Sequence, residues 1–262
     1  MRKQAILGPK LKLQHHSPLR LLSDQPLPGA VNMTRDEALL TRVGEGVSPA
    51  TLRLYQWAAP TVSLGYFQRF AEYEALPPPA GGLAVVRRLT GGGAILHDLE
   101  LTYSLALPID HRLLSEGHNR IYEFAHDAVR AALLELGVRA EACGRSDDST
   151  PTRGPFFCFA RRHCFDVVLD QDKLAGSAQR RTRRAVLQHG SIILASRFDQ
   201  QPSARFEAEY GVALAHVRAA FPRALSNITG ESNSEGAWSP EELHAAEGLL
   251  LKYAGVEWTR RA

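Results

Sequence analysis

Three consecutive glycines, Gly91 to Gly93, stand between two short apolar runs and constrain this chain more than any other feature. Glycine has no Cβ atom, so the backbone of such a loop can approach a ligand that any other residue would hold at a distance. The flanking runs, Ala84 to Leu89 and Ala94 to His97, contain residues that favour strands. The pattern predicts a loop between two strands, which serves either as a ligand-binding loop or as a plain hairpin turn.

Charged residues beside the glycines favour the binding interpretation. Arg87 and Arg88 precede the loop, and His97 and Asp98 follow it. The loop is not a nucleotide signature, because it lacks the GK[ST] of a P-loop and the GxGxxG that opens a helix. The residues after it, through Leu107, alternate as a strand does.

Strand-like runs rich in β-branched and aromatic residues recur along the chain. They are Leu52 to Trp57, Thr61 to Tyr66, Ala84 to Leu89, Ala94 to His97, Leu101 to Leu107, Cys164 to Leu169, Lys173 to Gln179 and Ala185 to Leu194. The polar residues Asp170 to Asp172 between two of these runs predict a hairpin.

Helices are predicted where apolar residues recur at steps of three and four, or where capping residues mark a start. The segments are a short helix after the capping box Thr34/Glu37 that ends near Gly44, His118 to Leu136 ending at Gly137, Arg205 to Phe221, and Pro240 to Tyr253 capped by Ser239 and Glu242. Together the elements indicate an α/β (α+β) fold, with a large mixed sheet flanked by helices.

A chain of 262 residues without a change in composition is expected to form a single domain, here over residues 19–262. Residues 1–18 carry several basic side chains without periodicity, which predicts a basic N-terminal arm. The segment from Ala142 to Phe157 is polar and rich in turn-forming residues, and it is expected to be a long exposed loop.

Composition excludes several classes of function. The formal charge of +3 is small and no basic stripe is interleaved with aromatic residues, so no nucleic-acid partner is expected. No apolar run is long enough for a membrane span and no secretory signal is present, which predicts a cytoplasmic protein, expected to be a monomer. The cysteines Cys143, Cys158 and Cys164 then predict free thiols, and their spacing with His163 does not fit a zinc site.

A second motif starts at Lys173 and continues as Leu-Ala-Gly-Ser-Ala to Gln179, followed by Gln188 to Ser191. A lysine at a strand start can present its ammonium group to a carbonyl or phosphate oxygen. The small residues after it leave room for an extended ligand. A lysine beside a turn is more often solvated, so the motif gains meaning only with others.

The segments taken together resemble the lipoate-protein ligase and octanoyltransferase family, which shares its catalytic fold with biotin-protein ligases. The resemblance rests on Asn32 to Leu40, Pro60 to Gln68, Arg87 to Asp98, Lys173 to Gln179 and Gln188 to Ser191. It implies a biotin/lipoate ligase-like catalytic domain in which the acyl chain lies along the glycine loop and the lysine contacts the acyl carbonyl. By resemblance the substrate-binding residues are Arg88, Gly91, Gly92, Gly93, Ala94, His97, Gly176, Ser177, Ala178, His189 and Gly190.

One segment separates the branches of that family. Ligases that form an acyl-adenylate usually carry a Gly-Arg-Asn-Asp type motif upstream of the lysine, and this chain has Cys158-Phe159 there. The arrangement is similar to that of cysteine-dependent octanoyltransferases, which implies that Cys158 and Lys173 are catalytic and that no ATP or other cofactor is required. The implied donor is octanoyl-acyl carrier protein, and the implied acceptor is a lysine of a lipoyl domain or of the glycine cleavage H protein.

This chemistry exchanges one thioester for another before an amide is formed, with Lys173 and backbone amides stabilising each oxyanion. Thiolate formation needs a nearby cation, and Arg161, Arg162, His163 and Lys173 are the candidates. Three alternatives stay open: an ATP-dependent lipoate-protein ligase, an amidotransferase that moves the acyl group between carrier domains, and a silent carrier-binding module in which Cys158 is merely packed.

Overall fold

The computed structural model describes residues 18–144 and 155–261. Within these ranges the larger sheet has eight strands in the order β11-β1-β2-β6-β10-β9-β8-β7. Its strands are β1 (Leu19–Ser23), β2 (Thr51–Tyr55), β6 (Glu100–Pro108), β7 (Glu141–Ala142), β8 (Val167–Leu169), β9 (Asp172–Arg181), β10 (Ala185–Ile193) and β11 (Asn233–Glu235). Strand β1 pairs in parallel with β2 and β11, and the other pairs are antiparallel, so the sheet is mixed as the sequence predicts.

A smaller sheet of three strands in the order β4-β3-β5 carries the glycine loop. Its strands are β3 (Thr61–Leu64), β4 (Ala84–Arg87) and β5 (Ile95–His97). The glycines therefore connect two strands that lie on opposite sides of β3, and they do not close a hairpin. The sequence pattern did not separate this sheet from the larger one.

Helices cover both faces of the large sheet. They are α1 (Gly29–Gly44), α2 (Phe70–Glu74), α3 (Arg120–Leu134), α4 (Tyr210–Thr229), α5 (Pro240–Gly248), α6 (Leu250–Ala254) and α7 (Val256–Thr259). Helices α3 and α4 pack on each other and on one face, where α3 buries residues such as Ile121, Ala125, Val129 and Ala132. Helices α1, α5 and α6 cover the other face.

The sheet centre is buried on both faces because helices lie above and below it. Every residue of β10 is buried, and β6 is buried up to Pro108. Strands of this kind carry continuous apolar runs, with polar residues only where a partner satisfies them. The polar residues of β6, β9 and β10 therefore mark the places where the sheet faces a cavity or a buried hydrogen-bond network.

The predicted start of α1 is wrong. The capping box was placed at Thr34 and Glu37, but the helix begins at Gly29 after Pro28. The Thr34 hydroxyl donates instead to the Val31 carbonyl from inside the helix, as Ser and Thr side chains in a helix often do. The capping box predicted at Ser239 and Glu242 is confirmed.

Other boundaries differ from the predictions. Helix α4 begins at Tyr210, five residues after the predicted Arg205, and continues through Pro222 to Thr229. Strand β8 begins at Val167, and Cys164 lies in a turn before it. Strands β1 and β11 and helix α2 were not predicted, because they are short or polar.

Two predictions concern residues that lie mostly outside the described ranges. The basic arm covers residues 1–18, of which only Pro18 is described. The predicted loop from Ala142 to Phe157 includes residues 145–154, which are not described, while Phe157 at its end is buried. Among the described residues, no helix has the length and apolar character that a membrane span requires.

Candidate active site

A narrow slot opens between the glycine loop of the small sheet and strands β9 and β10 of the large sheet. It encloses about 500 Å³, part of it open to solvent at the mouth. The walls are formed by apolar and aromatic side chains and by the small residues of the lysine motif. The lining residues include Met33, Tyr55, Trp57, Ile95, Phe159, Gly176, Ala178 and Gly190. A site of this kind suits an extended apolar ligand with a polar group at one end.

Cys158 lies in the wall of this slot, and Lys173 contacts it. The Lys173 Nζ atom is 3.6 Å from the Cys158 Sγ atom and 2.8 Å from the Asp166 Oδ2 atom. Lys173 and Asp166 are each only 4% exposed, whereas Cys158 is partly accessible. The carboxylate and the ammonium group are thus buried behind the thiol, and the thiol is the group of the three that a substrate can reach.

Lys173 is protonated in this arrangement. Burial lowers the pKa of Lys173, but the charge of Cys158 and the charge and hydrogen bond of Asp166 more than offset this. The pKa therefore lies above its ordinary value of 10.5. An ammonium group fixed beside Sγ stabilises a thiolate by charge, and the thiolate is the nucleophilic form of cysteine.

A turn aims the Asp166 carboxylate at Lys173. The His163 amide donates to Asp166 Oδ2 at 2.7 Å, and the Asp166 amide donates to the His163 carbonyl. Gly176 completes the site from below, since a Cβ atom there would lie 2.4 Å from Lys173 Cε and 2.7 Å from Nζ. Only glycine at this position leaves room for the lysine side chain to reach Cys158.

The glycine loop fixes the backbone of Cys158. The Ala94 amide donates to the Phe156 carbonyl at 2.9 Å, and the Cys158 amide donates to the Ala94 carbonyl at 2.7 Å. A Cβ atom on Gly93 would meet the Cys158 nitrogen at 3.0 Å. The loop and the cysteine segment are therefore in direct backbone contact, which places the thiol at one edge of the slot.

Arg88 holds the loop in its conformation. Its guanidinium group donates to the carbonyls of Ser63, Gly91 and Gly93 and to the Thr90 hydroxyl. Burial lowers the pKa of Arg88 to about 10, although the charge of Cys158 acts in the opposite direction. Arg88 is thus a second buried cation whose charge acts on Cys158, a role that the sequence did not indicate.

Two histidines form part of the slot wall and are fixed by buried networks. The His97 ring stacks on Trp57 with centroids 3.8 Å apart and hydrogen-bonds Glu100 and Ser63. Burial lowers the pKa of His97 despite the opposing charge of Glu100, so the ring is neutral. His189 lies between Thr90 and Asp36, at 2.6 and 3.1 Å.

A wider groove continues from the slot to the surface. It encloses about 960 Å³ and shares Gly92, Ser177 and Ala178 with the slot. Its other walls come from helix α3 and from the turn that carries Asp166. They include Asn119 at the start of the helix, Tyr122, His126, His163 and Phe165, and Gln179 of strand β9 also lines the groove. The wall of the groove is more polar than that of the slot, so the two together suit a ligand with an apolar tail and a larger polar part.

The structure brings most of the predicted site residues to this place. Those that line the slot are Arg88, Gly92, His97, Cys158, Gly176, Ser177, Ala178, His189 and Gly190, and Gly91 lines the groove. Lys173 is not part of the slot wall itself but contacts Cys158, which is. Gly93 and Ala94, which were also predicted to bind substrate, lie against the backbone of Cys158.

The predicted cations divide in the same way. Of the candidates for stabilising a thiolate, Lys173 contacts the Cys158 sulfur atom, whereas Arg161 donates to the Pro155 carbonyl and His163 Nδ1 accepts from the Phe165 amide. Asp166 was missed because a single carboxylate between Phe165 and Val167 gives no signal in the sequence. In the part of the chain that the structure describes, no group of three or more His, Cys, Asp or Glu side chains is placed to hold a metal ion.

The mixed sheet, the glycine loop and strand β9, which carries Lys173, together form the catalytic-domain architecture of lipoyl protein ligases. The chain matches the family model of the lipoyl protein ligase A/B catalytic domain over residues 28–234. It belongs to that family.

Particular relatives narrow the comparison. The chain is 33% identical to octanoyltransferase LipM of Kyrpidia tusciae, over 92% of this chain and 98% of the relative. It is 35% identical to octanoyltransferase LipM of Moorella thermoacetica, over 92% and 97% of the two chains.

Solved structures agree on the fold. A lipoate-protein ligase A bound with ATP superimposes with a TM-score of 0.72 at 23% identity, covering 93% of this chain and 99% of the other. A bipartite lipoate protein ligase from Thermoplasma acidophilum, described with its E2 lipoyl domain, gives a TM-score of 0.66 at 22% identity, covering 94% and 97%.

Proposed function

We propose that this protein is an octanoyltransferase of protein lipoylation that carries the octanoyl group on Cys158. The donor is octanoyl-acyl carrier protein, and the acceptor is a lysine of a lipoyl domain. The observation that carries the proposal is the 3.6 Å contact between Lys173 Nζ and Cys158 Sγ at the edge of the slot. The curated relatives are octanoyltransferases, which supports the same acyl group for this chain.

The first half-reaction is a thioester exchange. The Cys158 thiolate attacks the carbonyl carbon of the donor thioester, the new C–S bond forms, and the donor thiolate leaves with the electron pair of the old C–S bond. The free energies of the two thioesters are similar, so no ATP is consumed. The octanoyl chain extends into the slot between Trp57, Tyr55 and Met33.

Lys173 stabilises the negative charge that develops in this step. Its ammonium group is buried and already positioned, so it needs no reorganisation when the oxyanion forms. The Cys158 amide is not available for this task, because it donates to the Ala94 carbonyl. Any backbone contribution to an oxyanion hole therefore comes from other amides of the loop.

In the second half-reaction the acceptor lysine attacks the Cys158 thioester, and the sulfur leaves as a thiolate beside Lys173. The groove is the route for this amine, because it joins the slot at Ser177 and Ala178 and opens to the surface. The related ligase described with its E2 lipoyl domain supports a lipoyl-domain acceptor, and the H protein is the second acceptor that we propose.

We further propose that the enzyme acts as a cytoplasmic monomer.

A transfer assay separates this function from its alternatives. Purified protein is mixed with octanoyl-acyl carrier protein and an apo lipoyl domain without ATP, and the mass of the lipoyl domain is followed. We expect one octanoyl group on its lysine. Free octanoate with ATP, the substrate pair of a ligase, is expected to give no product.

The other outcomes overturn the proposal in different directions. Modification only with free acid and ATP would assign the protein to the ligases. Transfer only from an octanoylated H protein would assign it to the amidotransferases. Carrier binding without transfer under any of these conditions would leave a binding module.

A further inference from the structure

The second half-reaction produces a proton that some group must accept. An amine that attacks a thioester becomes positively charged, and the adduct collapses to the amide only after nitrogen loses a proton. Lys173 cannot take this proton, because its pKa is raised and its ammonium group, which lies between Asp166 and the thiolate, is already protonated. The acceptor must therefore be another group at the place where the amine enters.

His126 of helix α3 lies at that place. Its side chain lines the groove, and its Nε2 atom is 2.6 Å from the Ser177 hydroxyl oxygen. Ser177 lines both the slot and the groove, and it is the fourth residue after Lys173 on β9. A histidine that hydrogen-bonds a hydroxyl at the mouth of the site was not among the residues singled out from the sequence.

The hydrogen-bond network fixes which nitrogen of His126 is the base. The other ring nitrogen, Nδ1, donates to the Phe165 carbonyl, which has no proton to give. Nε2 is then the unprotonated nitrogen and accepts from Ser177. Ser177 in turn accepts from the Tyr103 hydroxyl at 2.6 Å, and Tyr103 accepts from Gln188 at 3.0 Å.

The ring is neutral and therefore able to accept a proton. Burial lowers the pKa of His126 below its ordinary value of 6.5, although Asp166 and Asp127 act in the opposite direction and Lys173 acts with burial. The Tyr122 ring covers one edge of the imidazole, with centroids 6.4 Å apart. At pH 7 the folded enzyme thus presents a free imidazole nitrogen towards the hydroxyl.

Glycine at position 190 makes this arrangement possible. A Cβ atom there would lie 2.4 Å from the Ser177 Oγ atom and 2.5 Å from the Tyr103 ring. The hydroxyl is therefore packed against a glycine of the opposite strand, where its position between His126 and Tyr103 is fixed. Gly190 and Ser177, both parts of the sequence motifs, thus shape this hydrogen-bond arrangement as well as the slot wall.

We infer that Ser177 and His126 form a proton relay for the amine-transfer step, an inference that rests on the proposed function. As the C–N bond forms, the amine proton passes to Ser177 Oγ while the Ser177 proton passes to His126 Nε2. The C–S bond then breaks, and its electron pair stays on Cys158 as a thiolate paired with Lys173. The imidazolium releases its proton to water in the groove. Ser177 touches the reacting amine, and His126 acts through it.

The test measures the two half-reactions separately. Wild type, His126→Gln, His126→Ala and the exposed control His244→Gln are each octanoylated with octanoyl-acyl carrier protein, and the rate of adduct formation is recorded by mass spectrometry. The isolated acyl-enzymes are then mixed with apo lipoyl domain in a single turnover. Glutamine can still accept a hydrogen bond from Ser177 but has no basic nitrogen.

We expect His126→Gln to acylate at the wild-type rate and to transfer to the lipoyl domain about a hundredfold more slowly, the effect of a lost general base. Added imidazole is expected to restore part of the transfer rate in His126→Ala and not in wild type. Hydroxylamine is weakly basic, so its adduct loses a proton to water directly, and it should cleave all acyl-enzymes equally fast.

The outcomes distinguish this inference from the proposed function. Transfer at the wild-type rate in His126→Gln, or an equal loss of rate with hydroxylamine, would overturn the proton relay. Neither result would contradict the proposed thioester intermediate. Slow transfer in His126→Ala that imidazole does not restore would also contradict it. Failure of the wild-type enzyme to form any acyl-enzyme would instead contradict the proposed function.

Discussion

Replacing Lys173 by methionine is expected to slow the octanoylation of Cys158 by between about 10² and 10³-fold, the usual effect of removing one preorganised charge from an oxyanion site. Methionine has a similar length but no charge, so both the thiolate and the oxyanion lose their cation. The rate of adduct formation with octanoyl-acyl carrier protein, followed by mass spectrometry, is the measurement.

Removing the Lys173 charge also affects Asp166, its ion-pair partner. Lys173→Met leaves that carboxylate buried without its ion-pair partner, which is itself destabilising. The double variant Lys173→Met/Asp166→Asn removes both charges and is measured beside it. Lys252→Met makes the same change at a lysine paired with Glu37 outside the site and should acylate normally. Acylation of the folded double variant at the wild-type rate would contradict the role of Lys173.

The second large effect is expected on stability. Arg53 is fully buried and donates to Asp24 and Asp36, each at 2.7 Å. Replacing one partner of a buried ion pair leaves the other charge uncompensated, so Arg53→Met should lower the free energy of unfolding by about 3–5 kcal/mol. Arg205→Met removes an exposed pair with Asp199 and should cost less than about 1 kcal/mol.

The loss in Arg53→Met is also expected to depend on pH. Burial raises the pKa of Asp36, but the hydrogen bond from His189 and the charge of Arg53 more than offset this, and the pKa lies below 3.8. The pKa of Asp24 is lowered in the same way, chiefly by Arg53. Such carboxylates contribute stability above the pKa of the unfolded chain and lose it as the pH falls through the folded pKa.

Without Arg53, burial raises the pKa values of these two carboxyl groups with less opposition. Protonation at low pH then removes the uncompensated buried charge and recovers part of the variant's stability. The stability difference between wild type and Arg53→Met should therefore shrink between pH 7 and pH 4. Urea unfolding at several pH values measures it. A difference that stays constant over this range would show that Arg53 stabilises the fold by packing alone.

Arg53 also connects the core to the slot, which explains why a large charged side chain is buried there. Asp36 accepts from Tyr55 at 3.0 Å, from Ser104 at 2.9 Å and from His189 at 3.1 Å. Tyr55 and His189 line the slot. The network thus fixes wall residues by hydrogen bonds to one anion, which Arg53 keeps ionised.

The central strands and the longest helices could be predicted from the sequence, because their apolar pattern matches the geometry of the element. The recurrence of apolar residues from Ile121 to Leu133 predicted α3 within a few residues. The start of α1 could not be predicted in this way. Gly29 packs against Trp57 and Thr61, so the first turn is stabilised by tertiary contacts and not by a capping side chain.

Some residues of the candidate site could likewise be predicted from the sequence and others could not. Residues in dense motifs, such as the glycines of the loop and the segment after Lys173, were predicted to line the site from the family resemblance that those motifs carry. Asp166 and His126 were not, because each is a single polar residue whose partner lies on another element. Their significance depends on the pairing of β8 with β9 and on the packing of α3, which a motif does not encode.

The central claim is that the Cys158 sulfur carries the octanoyl group between donor and acceptor. The measurement that tests it most directly is intact-protein and peptide mass spectrometry after mixing with octanoyl-acyl carrier protein, without ATP or acceptor. We predict one added octanoyl group on the peptide that contains Cys158, removed by hydroxylamine and absent in Cys158→Ser but present in Cys164→Ser. An adduct on another residue, or transfer to a lipoyl domain by Cys158→Ser at the wild-type rate, would contradict the account.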